Sequence, residues 1–299
     1  MLKELLYQNK KIIYRVIGNG KPVILIHGFG EDSSVWKNQI EFLKNKCRLI
    51  IPDLPGSGQS EMINDMSMEG MAEVIKAIIA SLPSEGEASP NPTEGGALNS
   101  DTCNVFIEFS NSKNPPSEGR EACIIIGHSM GGYITLALVE KYPELVSAFG
   151  LFHSSAYADN EEKKATRRKG IEFINQHGAF EFLKTATPNL FSPKTKDERP
   201  GLIDEQVAGL DNFSSLALVS YYEAMMQRPD RTELLRKTTV PVLFIMGEYD
   251  NAVPMQDGLK QCHLPENSYI HILRRSGHMG MLEEPGISNE TLEKFLSDI

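Results

Sequence analysis

The 299-residue chain is short of positive charge, of cysteine and of long apolar runs, and each shortage removes a class of function. Lys and Arg number 30 against 40 Asp and Glu, a formal net charge of −10, so no general attraction draws in nucleic acid. The one basic run, Lys163, Lys164, Arg167, Arg168 and Lys169, adjoins Glu161 and Glu162 and reads as a solvated helix face. The cysteines at 47, 103, 123 and 262 lack metal-ligand spacing, and Cys47 and Cys123 lie in or beside apolar runs. They are expected to be reduced core or incidental residues in a reducing compartment. No run is long enough to span a bilayer, and the start, Met1-Leu2-Lys3-Glu4-Leu5-Leu6-Tyr7, lacks the apolar stretch of a secretory signal. The expectation is a cytoplasmic chain with neither a membrane nor a nucleic acid as partner. With 40% hydrophobic and 23% charged residues it has the composition of an ordinary globular protein, long enough to bury a large core in one domain with an excursion or in two.

What is present is a serine in a distinctive setting. Gly127-His128-Ser129-Met130-Gly131-Gly132 directly follows the apolar run Ala122 to Ile126, so a buried strand must turn sharply into a helix at the serine. A serine hydroxyl is a weak nucleophile at neutral pH and must stand clear of the surface within reach of a base. Glycines at 127 and 131 leave room for that turn. The following helix aims its N-terminus at developing negative charge, which makes the Met130 N–H a candidate oxyanion donor.

The order of the neighbouring motifs gives the serine its meaning. Upstream, Pro22-Val23-Ile24-Leu25-Ile26 reads as a buried strand running into His27-Gly28-Phe29-Gly30, where the Phe29 N–H is a second candidate donor. Downstream, Val240 to Gly247 is another buried strand that ends in Glu248-Tyr249-Asp250, and Ser268 to Leu273 delivers Ser276-Gly277-His278. Nucleophile, acid and base thus appear in the order Ser129, Asp250, His278, each just beyond a strand end. With Ile51-Pro52-Asp53-Leu54-Pro55-Gly56-Ser57-Gly58-Gln59-Ser60 added, the chain resembles the α/β-hydrolase superfamily along nearly its whole length. The resemblance implies a carboxylesterase-like serine hydrolase with a helical cap.

Short apolar runs predict strands near 2–7, 11–17, 22–26, 47–52, 122–127, 146–152, 241–247 and 268–273. They form an α/β fold: a mostly parallel eight-stranded sheet flanked by helices, with an antiparallel edge from the first hairpin. Residues 1–153 and 236–299 form the core on this reading, and 154–235 the cap that the resemblance implies after the sixth strand. Pro83 to Arg120, rich in Pro, Gly, Ser, Asn and Glu, departs from the family pattern and is expected to be a flexible surface insertion. Within it, Cys103 to Phe109 has the composition of a strand or a docking segment.

Each candidate has a rival reading. Glu248 and Asp257 compete with Asp250 for the acid; His27 and His128, inside glycine motifs, are expected to hold loops; and Asp53 is expected to tie its Pro- and Gly-rich loop. His153, Tyr221 and Met225 are candidates for the substrate pocket, although most apolar cap residues are expected simply to pack the cap on the core. Family members that form an ester intermediate on a carboxylate, the haloalkane dehalogenases and epoxide hydrolases, need Asp at the elbow, where this chain has Ser129. The glycines at 127, 131 and 132 belong to the elbow, so neither a dinucleotide nor a metal is expected, and no cofactor. The expected substrate is a small molecule, a carboxylic ester of small or medium acyl length. The alternatives are a lactone, a thioester, a carbon–carbon bond beside a ketone, or a ligand receptor with slow turnover and the insertion as its docking element.

Overall fold

The structure, a computed structural model, describes residues 1–82 and 121–299. Among them are eight strands: β1 (Leu2–Tyr7), β2 (Lys10–Ile17), β3 (Pro22–Ile26), β4 (Arg48–Pro52), β5 (Cys123–His128), β6 (Val146–Phe152), β7 (Val242–Gly247) and β8 (Ser268–Leu273). They form one sheet in the order β1-β2-β4-β3-β5-β6-β7-β8. The expected strands are all present, within a residue or so of the expected ends. β1 and β2 form an antiparallel hairpin whose two-residue loop, Gln8 and Asn9, has φ of 50° and 62°, the left-handed turn that matches strand twist. β2 also meets β4 antiparallel, and every pairing from β4 onward across the sheet is parallel. The expected insertion at 83–120, with its segment Cys103 to Phe109, lies outside the described residues.

The central strands are continuous apolar runs because both their faces are covered. Ile24, Ile26 and Ile125 point into one core, with Met71, Ile75, Ile134 and Leu138. Val23, Leu25, Ile124 and Ile126 point into the other, with Trp36, Leu43, Leu292 and Phe295. The covering helices follow from chain order: α1 (Lys37–Leu43), α2 (Met68–Ser81) and α3 (Met130–Lys141) precede β6. Between β6 and β7 come α4 (Glu161–His177), α5 (Ala179–Ala186), α6 (Pro193–Glu198), α7 (Pro200–Ala208), α8 (Ser215–Gln227) and α9 (Thr232–Lys237). After β7 come α10 (Met255–Leu259), α11 (Gly280–Glu283) and α12 (Pro285–Asp298). α2 and α3 pack together on one face, α1 and α12 on the other.

Two features aim this framework at a site. β3 lies between β4 and β5, so the connections leaving β3 and β4 run to opposite sides, and a crevice opens beyond the carboxyl ends of β3 and β5. The inserted helices reach that edge. Leu183 of α5 abuts Gly30, the Tyr221 hydroxyl of α8 donates to Pro55 O (2.5 Å) and meets Ser57 Oγ (2.9 Å), and Leu190 O accepts from His278 N at 2.6 Å.

The basic run on α4 departs from a solvated face at one position. Lys164 and Arg168 pair with the exposed Glu161, but Arg167 turns inward and clasps the buried Asp159, which also receives Arg228 at 2.9 Å. A charge run adjacent in sequence is spread around a helix, so one member of it can face the core.

Candidate active site

The elbow forms because three backbone segments come closer together than side chains allow. A Cβ on Gly127 would collide with the Gly131 carbonyl group and the Gly132 nitrogen, and one on Gly131 with Ile26 O and His27 O at the exit of β3. Ser129, squeezed between β5 and α3, takes φ 49°, ψ −114°, strain of the kind concentrated at reactive positions. The turn at the end of β6 holds it there: Ser129 N donates to Phe152 O (3.0 Å) and Ser154 Oγ donates to Ser129 O (2.7 Å). Met130 is the first residue of α3, and Phe29 lies in the loop after β3. Neither N–H has an acceptor among the described residues.

His278 follows β8 and is buried, and its Nδ1 donates to Asp250 Oδ2 at 2.8 Å. Asp250 Oδ1 accepts from Ala252 N (2.9 Å) and Val253 N (2.8 Å), an Asx-type turn that fixes the carboxylate beyond β7. Burial opposes the charge on Asp250. The charge of His278 and hydrogen bonds from two imidazoles outweigh it and hold the carboxyl well below its ordinary range. Burial likewise opposes protonation of His278. The Asp250 carboxylate and its hydrogen bond, with Glu31 and Glu283 farther off, prevail and raise its pKa above the ordinary 6.5. The rivals Glu248 and Asp257 are elsewhere: Asp257 pairs with Lys163 at 3.5 Å, and Glu248 is exposed.

The Ser129 hydroxyl makes no hydrogen bond among the described residues. The residue before the serine joins the elbow to His278 through the backbone. His128 Nε2 meets His278 O at 2.9 Å, its ring lies 4.9 Å from the His278 ring, and its Nδ1 meets Glu31 Oε2 at 2.9 Å. Catalytic hydrogen bonds are often long before substrate binds.

His27, His128 and Asp53 hold loops as expected. Leu54 N donates to His27 Nε2 at 2.9 Å, and Asp53 accepts from Ser33 N (3.0 Å) and Gln59 N (3.1 Å). His153, expected at the pocket border, is 1% exposed, and its Nδ1 donates to Asp250 Oδ2 at 3.0 Å. Tyr221 and Met225 are buried as well: the Tyr221 hydroxyl is engaged by the loop after β4, and Met225 sits in the larger core cluster. The aromatic contact on the Phe29 loop comes chiefly from Tyr222, whose ring stacks on Phe29 at 4.3 Å and 12°.

Two carboxylates that the sequence did not single out support the site. Glu31 Oε2 accepts from Gly28 N (2.7 Å) as well as meeting His128. The buried Glu283 brackets His278, its Oε1 accepting from Gly277 N (2.8 Å) and Met279 N (3.2 Å) and its Oε2 from Ser192 N (2.8 Å) and Thr195 Oγ1 (2.7 Å). Among the described residues the one cluster with metal-ligand chemistry is His153, Asp250 and His278, whose donor atoms lie within 4.8 Å of one another. The lines between those atoms are taken by two N–H···O bonds, and the three residues form a hydrogen-bonded chain.

A model of the Alpha/beta hydrolase family matches residues 23–287. The chain belongs to that family. By family and fold this α/β hydrolase is a hydrolytic enzyme. It is 25% identical over 296 residues, 95% of its own length and 87% of the relative's, to the 2-hydroxy-6-oxo-6-(2'-aminophenyl)hexa-2,4-dienoic acid hydrolase of Metapseudomonas resinovorans. Its fold matches a thermophilic esterase from Thermogutta terrifontis with a TM-score of 0.81 at 23% identity, over 100% of this chain and 98% of that one. It matches an esterase from Exiguobacterium antarcticum with a TM-score of 0.80 at 21% identity, over 99% of this chain and 100% of that one. Among the described residues no helix is long and apolar enough to cross a membrane.

Proposed function

We propose that this α/β hydrolase cleaves carboxylic esters of small or medium acyl length through an acyl-enzyme on Ser129. The observation that carries the reading is the 2.8 Å bond from His278 Nδ1 to Asp250 Oδ2 behind a serine held at φ 49°. The Asp250 bond fixes the proton on Nδ1 and leaves Nε2 free to take the serine proton. As Ser129 Oγ attacks the carbonyl, the Phe29 and Met130 N–H groups receive the oxyanion. The imidazolium then returns its proton to the departing alcohol, and water, activated by the same base, releases the acid. The helices from α4 to α9 serve as the cap over a small-molecule substrate, and none of these steps draws on a cofactor.

Release of p-nitrophenol from acetate, butyrate and octanoate esters tests this. Sustained turnover is expected in the wild-type chain, with a loss of about 10⁴-fold or more in Ser129→Ala and an unchanged melting temperature. Substantial turnover by Ser129→Ala overturns the mechanism.

A second reading is favoured by the dienoic acid hydrolase relative, whose likeness spans 95% of this chain. The same nucleophile, base and oxyanion donors suit a lactone, a thioester or a carbon–carbon bond beside a ketone. Silence toward all three esters combined with Ser129-dependent hydrolysis of a 2-hydroxy-6-oxo-dienoic acid supports it.

A further inference from the structure

We propose that His153 is a positioning residue of the reaction, a neutral imidazole that donates a second hydrogen bond to the Asp250 oxygen serving His278 and so restrains both the acid and the basicity of the base. The inference rests on reading Ser129, His278 and Asp250 as the reacting set.

Asp250 Oδ2 receives His278 Nδ1 at 2.8 Å and His153 Nδ1 at 3.0 Å, while Oδ1 receives two backbone N–H groups. Four donors satisfy the carboxylate completely. The partners also fix the tautomer of His153. Its Nδ1 faces a carboxylate, which only accepts, and its Nε2 faces Gly280 N at 3.3 Å, which only donates. The proton therefore sits on Nδ1 and the ring is uncharged. Burial, set against the pull of Asp250, moves its pKa down to about 4, so it stays neutral where a serine hydrolase works.

The backbone singles out the same residue. His153 has φ 49°, a left-handed conformation uncommon for a residue with a side chain. Its N–H donates to Ile245 O at 2.8 Å, and the residues on either side, Phe152 and Ser154, hold the backbone of Ser129. One three-residue turn at the end of β6 therefore supports the nucleophile and the acid together. A lone packing histidine needs neither the strained backbone nor the defined tautomer.

Two donors on one oxygen share its electron density, so each weakens the other. Without the His153 N–H, Asp250 faces the His278 imidazolium with less of its charge compensated. The other charged and titratable groups around the rings, His128, Glu31 and Glu283, are unchanged. His278 then holds its proton to higher pH, and the enzyme needs higher pH to act.

The test measures kcat/KM against pH on p-nitrophenyl acetate for the wild type, His153→Phe and His153→Asn. Phe fills the space without a donor, whereas Asn places an N–H near the ring Nδ1 and tolerates positive φ. The acid limb is expected to move up by about half a pH unit or more in His153→Phe and to return toward the wild-type position in His153→Asn, with KM little changed. An unmoved limb in a folded His153→Phe, or an Asn variant no different from Phe, overturns the proposal. If His153→Phe does not fold, nitrogen-15 imidazole spectra of the unaltered chain decide. A neutral His153 protonated at Nδ1 from pH 5.5 to 9 upholds the role, and a ring that titrates within that range or carries its proton on Nε2 overturns it. Ser129→Ala, run alongside, separates the two levels. Retained turnover there overturns the reading of the reacting set itself, whereas lost turnover there with an unmoved limb in His153→Phe overturns only the role of His153.

Discussion

Glu283 fixes the backbone on both sides of His278, the residue proposed as the base. Its two oxygens accept from the backbone on both sides of His278 and from Ser192 and Thr195 in the inserted segment, four donors in a buried pocket. Glu283→Gln keeps the shape but turns an amide NH₂ toward groups that are themselves donors. A buried polar group facing the wrong partner costs about 1–3 kcal/mol, so the melting temperature is expected to fall. kcat on p-nitrophenyl acetate is expected to fall more than KM rises, because the base loses its fixed position while the acyl site is untouched. A Gln variant with wild-type kcat and stability contradicts this role. His278, the proposed base, carries a separate prediction. Its pKa is raised above 6.5, chiefly by Asp250 acting against burial, and only its neutral form accepts the serine proton. Turnover should therefore decline on acidification through a midpoint above 6.5, measured as the acid limb of kcat/KM.

At the scale of elements, α8 is fastened to the loop after β4 by one hydroxyl: Tyr221 donates to Pro55 O and meets Ser57 Oγ while its ring lies edge-on to Phe29 at 6.3 Å. Tyr221→Phe removes the fastening and leaves the ring, so a stability loss of about 1–2 kcal/mol is expected, readable by denaturant unfolding. The preference among acetate, butyrate and octanoate esters is expected to stay the same. A shifted chain-length preference with unchanged stability would return Tyr221 to the pocket, where the sequence reading had it. The strands and the elbow were legible because the signals for them are local. β3, β5 and β7 are unbroken apolar runs covered on both faces, and the glycines around Ser129 report a close approach that few other side chains permit. The inserted helices were legible as helices but not in their facing. Phe173, Phe180 and Leu216 stand 36%, 37% and 66% exposed, although apolar residues in a cap are expected to pack inward, while Arg167 of the basic run is turned in toward Asp159. The role of His153 left no trace at all in the sequence, since its partner Asp250 is 97 residues away and a single histidine after a strand has no spacing to read.

Across the whole molecule, the two histidines on Asp250 couple folding to pH with opposite signs. His278, raised, adds stability that is fully present below 6.5 and lost as pH rises through its folded value. His153, lowered from 6.5 to about 4, acts the other way: between those values the unfolded chain binds a proton that the folded chain refuses, so stability falls as pH falls. Asp250 and Glu31, both held below their ordinary values of 3.8 and 4.5, contribute stability that begins to fade only at the acid end of that window and is lost as pH falls further, through their folded values. From pH 6 to 5, then, where the unfolded imidazoles are already mostly protonated, the contribution of His278 changes little, those of the two carboxylates are nearly constant, and His153 supplies most of the slope, at most about 1.4 kcal/mol per pH unit for a single site. His153→Asn keeps a donor to Asp250 but has nothing to protonate. Melting temperatures followed from pH 6 to 5 are expected to fall in the wild type and distinctly less in His153→Asn. Parallel declines in the two chains would mean that the buried ring is not held neutral, and the tautomer assigned from its two partners would be wrong.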